Sequence, residues 1–342
     1  MTKPKPDRPS GVTMRDVAAR LGVSAMTVSR AIRGDSGIAE PTRLRVLAEV
    51  EALGYRRNDL ARQFRTGSAH ELVGLVVTNL ANPFYSQLAV GVEEVATRHG
   101  VGVLVASTNG ELDRERELVM DMAGRRIAGL IVVPASNDHG HLDPAGLEGA
   151  PVVLAATPPR GIDVDCVFVD DFNGTYEACR QLIGRGHERI GFLGLPASLW
   201  TGSERYRGYA AAMEDAGLAV DEQYVSRHRG DISLAEEATR RMLALPAPPT
   251  ALITANNRNT VGALRILRHS PNPVALAGFD DIELADLLQL PLSVVAYDAA
   301  DVGREAARLL FGRIEDTGVT KVGRQQVIIP TRVIDYPRPE RG

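Results

Sequence analysis

The sequence has 342 residues, 44% hydrophobic and 24% charged, a composition typical of a globular protein with room for a small domain and two larger lobes. No apolar run approaches the roughly 20 residues that span a bilayer, and the basic N-terminus lacks the apolar stretch of a signal peptide. Two cysteines, Cys166 and Cys179, are too few for a disulfide framework. We therefore expect a cytoplasmic protein with no membrane segment.

The net charge of −4 conceals an asymmetry along the chain. Residues 1–66 carry 13 Lys and Arg against 7 Asp and Glu, whereas the remainder carries 26 against 36. A basic head on an acidic body suggests that the head alone contacts a polyanion, although an unevenly charged solvated surface would look the same.

Residues 12–57 are predicted to form three helices after a disordered basic arm, residues 1–11. Thr13 is a good N-cap for the first helix, with Asp16 three residues on. Gly22 then permits a sharp turn into the second helix. Two short helices joined by a turn that contains glycine, with a third helix behind them, form a helix-turn-helix unit.

The second helix, Ala25 to about Ile32 with Ser24 as its cap, exposes mostly short side chains that let it lie deep in a major groove. Arg30 can reach guanine O6 and N7, and Met26 can pack on thymine methyl groups. An ordinary three-helix bundle with a polar face is the alternative. The candidate DNA contacts in this region are Thr13, Ser24, Ala25, Met26, Thr27, Ser29, Arg30 and Arg33.

The segments MRDVAARLGVSAMTVSRAIRG and GYRRNDLARQFRTG resemble the head of the LacI/GalR (lactose-repressor) family of bacterial transcriptional regulators. The TVSR tetrad, Thr27 to Arg30, and the element from Asn58 to Arg62 stand at the family's spacing. The resemblance implies that the second helix reads the major groove of double-stranded DNA. It also implies a homodimer on a pseudo-palindromic operator, in which residues 58–67 form a hinge helix that folds on DNA and enters the minor groove.

The hinge segment departs from the family pattern at two positions. Arg57 stands where the family commonly has proline, and Phe64 stands where it commonly has a leucine wedge. Phenylalanine also serves as a minor-groove wedge, so we expect Phe64 to insert at the operator centre. The candidate DNA contacts in and before the hinge are Tyr55, Asn58, Ala61, Arg62, Phe64 and Arg65.

Beyond the hinge, apolar runs such as LVGLVVTN, AGLIVVPA, CVFVD and RIGFLGL alternate with helical stretches. This alternation predicts doubly wound parallel sheets in a core that spans 68–335, before a tail at 336–342. The family resemblance continues to about Val333. It implies a fold like the type I periplasmic binding proteins, with two α/β lobes crossed by three strands and a ligand between them.

The resemblance implies that polar and aromatic residues at the predicted strand ends contact the effector, because they stand at the positions that do so in the family. Arginine, asparagine and carboxylates can bind a polyol, and aromatic rings supply a stacking face. Ala156 and Thr157 stand where the family often has Asp and Arg, and Asn257 replaces an aspartate, so the effector can be less hydroxylated, phosphorylated or more apolar. The candidate effector contacts are Asn79, Phe84, Tyr85, Asp170, Arg205, Asn256, Asp280 and Tyr297.

Two other classes of function would account for parts of the sequence. The run from Asp138 to Asp143 resembles an HxHxD metal cluster, but Pro144 replaces a further histidine and the sequence contains no other catalytic signature. A solute-binding transport protein would explain only the body. We therefore expect a nucleoid-associated repressor with a small polar, sugar-like effector, no cofactor and no enzymatic activity. The sequence does not decide whether the regulator activates or represses transcription. It also does not decide whether the effector is an inducer or a corepressor.

Overall fold

The computed structural model describes residues 12–32, 35, 37–53, 72–288, 291–316 and 323–336. The chain divides into two compact units, Met1–Ala69 and His70–Gly342, which we call the head and the body. The segments predicted as a basic arm (1–11) and a hinge helix (58–67) lie outside the described residues, as do residues 337–342 of the predicted tail. Those assignments stay predictions.

The head contains the three predicted helices, α1 (Met14–Leu21), α2 (Ala25–Ile32) and α3 (Glu40–Ala52). Thr13 and Asp16 form a reciprocal capping box at the start of α1, in which the Asp16 carboxylate accepts from the Thr13 amide at 2.7 Å. Gly22 ends the helix in the left-handed region, with φ of 67°. The three helices meet around a small core of Val17, Ala18, Val28, Ala31 and Val46.

The first lobe of the body is a six-stranded parallel sheet in the order β2-β1-β3-β4-β5-β11. Its strands are β1 (Leu72–Val77), β2 (Gly102–Ser107), β3 (Leu130–Val132), β4 (Val152–Ala155), β5 (Asp165–Val169) and β11 (Gln326–Ile329). Its helices are α4 (Pro83–Arg98), α5 (Leu112–Gly124) and α10 (Ala299–Glu315). Glycines allow α4 and α10 to pack closely, since a Cβ at Gly91 would lie 1.9 Å from the Ala300 carbonyl oxygen.

The second lobe repeats this arrangement in the order β7-β6-β8-β9-β10-β12, with β12 antiparallel to β10. Its strands are β6 (Ile190–Gly194), β7 (Val225–Arg227), β8 (Ala251–Thr254), β9 (Ala275–Phe279), β10 (Leu292–Ala296) and β12 (Arg332–Tyr336). Its helices are α6 (Asp171–Gly184), α7 (Trp200–Asp215), α8 (Ile232–Leu243) and α9 (Asn257–Leu267). The fold class predicted from the strand-helix alternation is confirmed.

The chain crosses between the lobes three times, after β5, after β10 and between β11 and β12. Matching the two strand orders pairs β4 of the first lobe with β9 of the second. The residue after each of these strands, Ala156 and Asp280 respectively, has a left-handed backbone, with φ of 63° and 69°. The carboxyl ends of the parallel strands carry the side chains that line one cleft, where doubly wound folds bind ligands. None of the helices in the described part of the chain combines the length and hydropathy of a membrane span.

Candidate functional site

Helix α2 and its capping residue carry six of the seven described residues that were predicted to contact DNA. Ser24 begins the helix by accepting a hydrogen bond from the Thr27 amide at 3.0 Å, and the two hydroxyls lie 2.8 Å apart. Met26 is 70% exposed although it is a large apolar side chain. Val28 on the opposite side is buried, so the helix keeps one face for the core and one for solvent.

Arg30, the predicted base-reading residue, lies near the end of α2 and is held by a carboxylate. Its Nε donates to Asp35 Oδ2 at 2.9 Å and its Nη2 donates to Asp35 Oδ1 at 3.3 Å. The Arg30 side chain is 40% exposed, so the pair is screened by solvent and contributes little to stability. A guanine edge would compete with Asp35 for the same two donors.

Seven of the predicted DNA contacts lie outside the described residues. They are Arg33, Tyr55, Asn58, Ala61, Arg62, Phe64 and Arg65. Their roles stay predictions.

The body contains a cleft of about 270 Å³ that brings together seven of the eight predicted effector contacts. The size is near the lower end of the roughly 300–1,000 Å³ of small-molecule sites. In the first lobe, these residues follow β1 or begin α4. In the second lobe, they lie in α7 or follow β8, β9 and β10, so both lobes contribute. The seven are Asn79, Phe84, Tyr85, Arg205, Asn256, Asp280 and Tyr297.

Arg205 is the buried centre of the cleft and is 5% exposed. Its Nε donates to Asp171 Oδ1 at 2.7 Å, and its Nη1 lies 3.7 Å from Asp280 Oδ1. Nη1 also donates to the Ala255 carbonyl oxygen. The guanidinium carbon lies 3.5 Å from the centre of the Phe279 ring. Two carboxylates, one carbonyl and one aromatic face therefore fix its orientation.

The electrostatics of this group follow from burial and pairing. Burial disfavours the charged guanidinium, but Asp171 and Asp280 outweigh that cost and raise the pKa of Arg205. Burial raises the pKa of Asp171 to about 6, against the opposing effect of Arg205. Asp171 Oδ2 is buried without a hydrogen-bond partner among the described residues. The carboxylate thus has acceptor capacity left beside the cleft.

Asp280 and Tyr297 form the adjoining wall. The Tyr297 hydroxyl donates to Asp280 Oδ1 at 2.8 Å, while Asp280 Oδ2 accepts from the Asn257 amide at 3.3 Å. Burial and the neighbouring Asp280 raise the pKa of Tyr297 well above its ordinary value, so the phenol keeps its proton and remains a donor. Aspartate tolerates the left-handed backbone at this position better than most residues do.

The first-lobe wall is aromatic and uncharged at the start of α4. The Phe84 and Tyr85 rings meet edge to face with centroids 5.0 Å apart, and the Phe84 and Tyr297 rings lie 6.2 Å apart. The Tyr85 hydroxyl is hydrogen-bonded to the Thr78 hydroxyl. Asn79 accepts from the Ala81 amide at 2.9 Å. Rings of this kind give a sugar ring or another flat apolar face a surface to stack on.

Asp170 does not line the cleft, and the neighbouring Asp171 does. The structure thus offers Asp171 to the cleft in place of Asp170, and an effector contact by Asp170 stays a prediction. Asp170 is the N-cap of α6, and its carboxylate accepts from the Asn173 amide at 3.2 Å and from that residue's side-chain amide. Asp171 occupies the first position of the helix, where its side chain turns inward and meets Arg205.

The residues that line the cleft but were not predicted from the sequence include four with large or polar side chains. Asn82 caps α4, Trp200 begins α7, Arg229 precedes α8, and Arg258 lies in the first turn of α9. Each stands in a loop or in the first turn of a helix, where hydrophobic periodicity gives no signal. A polar or aromatic residue near a helix start after a buried strand was the signal available for Asn82, Trp200 and Arg258, whereas Arg229 follows the half-buried strand β7 and had no such signal.

The histidine cluster weighed as a metal site has other partners. His139 Nδ1 accepts from the Arg160 amide at 3.1 Å and its Nε2 lies 3.0 Å from the Ser136 carbonyl oxygen. His141 Nε2 lies 2.9 Å from a carboxylate oxygen of the buried Glu115. Within the described residues, no three His, Cys, Asp or Glu side chains are arranged to hold a metal ion. The cluster instead anchors the loop after β3.

Comparison with known proteins gives two matches to family models. Residues 70–337 match the periplasmic binding proteins and sugar binding domain of the LacI family, and residues 13–58 match the bacterial regulatory proteins of the lacI family. Catabolite control protein A of Priestia megaterium is 29% identical over 304 residues, which cover 87% of this chain and 91% of that protein.

Two solved structures extend these matches. The transcriptional regulator CelR, in complex with cellobiose, is 29% identical and superimposes with a TM-score of 0.71 over 95% of this chain and 99% of its own. The Lac repressor bound to ONPG in its repressed state shares the fold, with 23% identity and a TM-score of 0.81 over 95% of this chain and 98% of its own. The chain belongs to the LacI family, and it is a DNA-binding transcriptional regulator with a periplasmic-binding-protein-like body.

Proposed function

We propose that this regulator is a homodimeric repressor that acts on nucleoid DNA in the cytoplasm, with its operator affinity set by a small polar effector in the body cleft. One observation carries the proposal. A single chain joins a helix-turn-helix unit with a solvent-exposed α2 face to a cleft built around the buried Arg205.

The head supports sequence-specific DNA binding through α2. The helix presents hydroxyls at its start, an exposed Met26 and the guanidinium of Arg30, which together can contact phosphates, thymine methyls and a guanine edge. A homodimer would place two such helices on a pseudo-palindromic operator, because two-fold protein symmetry imposes two-fold symmetry on the site.

The cleft supports a sugar-like effector. Arg205, Asn256 and Asp280 combine directed donors and acceptors, and Phe84 and Tyr85 add an aromatic wall. CelR, a relative at 29% identity, was solved with cellobiose bound, which favours a carbohydrate over other small molecules. Because the cleft has walls from both lobes, a ligand there would favour one lobe arrangement and thereby change DNA affinity, with reciprocal coupling.

The test uses the full-length protein on an operator found by genomic footprinting with and without candidate metabolites. We expect a metabolite to change operator affinity of the wild type, measured by fluorescence anisotropy, and to have no effect on Asp280→Ala. The adjacent Asp281→Ala is the control, because Asp281 is exposed and contacts Tyr336 instead of the cleft. An effector response that survives in Asp280→Ala and in Arg205→Ala would exclude this cleft.

Two alternatives are weaker. A solute-binding protein of a transport system would use the cleft but leaves the helix-turn-helix unit without a role. A metal-dependent enzyme would need His139 and His141 as ligands, and both are engaged in other hydrogen bonds. Metal analysis of the purified protein tests the second alternative.

A further inference from the structure

Charge is distributed unequally between the two walls of the cleft. The first-lobe wall is formed by neutral side chains, including Asn79, Asn82, Phe84, Asn109 and Thr157. Every charged side chain that lines the cleft belongs to the second lobe or to the crossover into it. These are Asp171, Arg205, Arg229, Arg258 and Asp280.

The two carboxylates of this set are both committed to Arg205. Asp171 is bonded to its Nε, and Asp280 lies beside its Nη1. Arg229 and Arg258 have no ion pair with any carboxylate in the described residues. Neither guanidinium is hydrogen-bonded to a carboxylate, and the one nearby carboxylate, Asp231, interacts with Arg258 only through space, where the positive charge helps to lower the pKa of Asp231. Donors therefore remain on both arginines, which favours an anion.

Arg258 and Arg229 are gathered by one tight loop. Arg258 Nε donates to the Gly230 carbonyl oxygen at 3.0 Å, which ties α9 to the residue after Arg229. Gly230 approaches Asn256 so closely that a Cβ there would lie 2.6 Å from Asn256 Nδ2. Asp231 belongs to the same loop, but its carboxylate caps α8 by accepting from the Ser233 amide at 2.8 Å.

Asn256 adds a third donor at this place. Its Oδ1 is occupied, because it accepts from the Asn259 amide at 2.8 Å as the N-cap of α9. The Nδ2 group is therefore the end of the amide directed away from the helix, and it donates to no acceptor in the described part of the chain. One amide donor and two guanidinium groups, none of them hydrogen-bonded to a carboxylate in the described residues, form a set suited to a phosphate or carboxylate.

We propose that Arg229, Arg258 and Asn256 form an oxyanion subsite and that the effector carries a phosphate or carboxylate group there. This inference rests on the proposed function and narrows it. The neutral first-lobe wall then contacts the uncharged part of the effector. Side-chain amides of the wall would bond to effector hydroxyls, and aromatic rings of the wall would stack on the effector's ring.

The test measures the fluorescence of Trp200, which is the single tryptophan of the sequence and lines the cleft. Its fluorescence is titrated in the full-length protein with inorganic phosphate, glucose 6-phosphate, gluconate and glucose, at ionic strength held constant with chloride. Phosphate bound by the basic head would not change this signal directly. Comparing the affinity for glucose 6-phosphate with the affinity for gluconate shows whether the subsite prefers a phosphate or a carboxylate.

The variant is Arg229→Gln/Arg258→Gln, in which glutamine removes the charges but keeps an amide that can donate to the Gly230 carbonyl. We expect its affinity for the anionic probes to fall about 10- to 100-fold, as for the loss of charge-assisted hydrogen bonds, with little change for glucose. Arg240→Gln is the control, because Arg240 is an exposed arginine of α8 outside the cleft that pairs with Glu236.

Two results would overturn the subsite. One is a wild type in which inorganic phosphate causes no saturable change in Trp200 fluorescence. The other is a double variant that binds the anions as tightly as the wild type does. If neutral sugars still change operator affinity in either case, the proposed function stands and only the anionic group is wrong. If no small molecule changes operator affinity, the proposed function itself fails.

Discussion

Asn257 donates its side-chain amide to Asn82 Oδ1 at 2.9 Å, and this hydrogen bond joins the second lobe to the first. Asn257 is the first residue of α9, and Asn82 is the N-cap of α4. Asn82 Oδ1 also accepts from the Phe84 amide at 3.0 Å. The helix cap thus holds the Asn82 oxygen in the place where it also accepts from the other lobe.

From this pairing we expect position 257 to need a side-chain amide donor. In Asn257→Asp, a carboxylate oxygen would face Asn82 Oδ1, and the new charge would lie close to Asp280, whose Oδ2 accepts from the same residue's backbone. We expect the free energy of unfolding to fall by about 1–3 kcal/mol, measured by urea denaturation. We also expect Asn257→Asp to be less stable than Asn257→Ala, which adds no charge.

Asn272→Asp, at an exposed position between two prolines, is the control and should change stability by less than about 0.5 kcal/mol. Equal stability of the Asp and Asn forms at position 257 would mean that the lobes are not held together through Asn82.

Arg205→Ala should destabilise the body severely. The substitution leaves Asp171 and Asp280 buried without their common cation, and breaking a buried pair in this way costs about 3–5 kcal/mol. Arg180→Ala, on α6, is the control. Arg180 is 61% exposed and its partner Glu177 is 39% exposed, so its loss should cost at most about 1 kcal/mol. Similar thermal midpoints for the two variants would contradict the central role of Arg205.

Asp171 should make stability depend on pH. Burial raises its pKa from 3.8 to about 6, so the folded protein holds a proton on Asp171 at pH values where the unfolded chain has lost it. Its contribution to the free energy of unfolding is therefore greatest below about pH 4, declines as the pH rises to about 6 and is constant above that. We expect the wild type to lose up to about 3 kcal/mol relative to Asp171→Asn across this window.

Urea denaturation of both proteins at several pH values between 4 and 7 measures that difference. A difference that does not vary with pH, or that grows in the opposite direction, would show that Arg205 keeps Asp171 ionised throughout.

Two residues of α2 should separate DNA binding from folding. Met26 is 70% exposed, so Met26→Ala should leave the head folded but weaken operator binding at a thymine, measured by anisotropy on operators with single base changes. Val28 is fully buried, so Val28→Ala should cost about 1–3 kcal/mol in head stability, measured by hydrogen exchange of α1 to α3. Operator binding that is indifferent to Met26→Ala would remove Met26 from the interface.

The sequence identified most of this structure because buried strands and helix caps leave local signals. Apolar runs marked the central strands of both sheets, and the Thr13 cap marked the start of α1 correctly. The strand β7 was missed because its three residues, Val225–Arg227, are half-buried at a sheet edge and carry no apolar run. Short edge strands have little pattern to detect.

The cleft was predicted less completely because side-chain direction depends on how the chain leaves each strand. Two consecutive aspartates follow β5, and composition cannot say which of them caps α6 and which turns inward to Arg205. The pairing of Asn82 with Asn257 was likewise out of reach, because these residues lie 175 positions apart. Such contacts are fixed by the packing of whole lobes.

The matched positions after β4 and β9 have a consequence for how new ligand preferences arise in this chain. Asp280 is buried among Arg205, Tyr297 and Asn257, so changing it disturbs folding as well as recognition. Ala156 has the same left-handed backbone but no polar side chain, and it lines a wall without ionised groups. Substitutions on that wall can alter which molecule is accepted while the charged half of the receptor stays intact. Substitutions in the first lobe can therefore change ligand selectivity with little effect on folding. The buried charged residues of the second lobe can stay the same meanwhile.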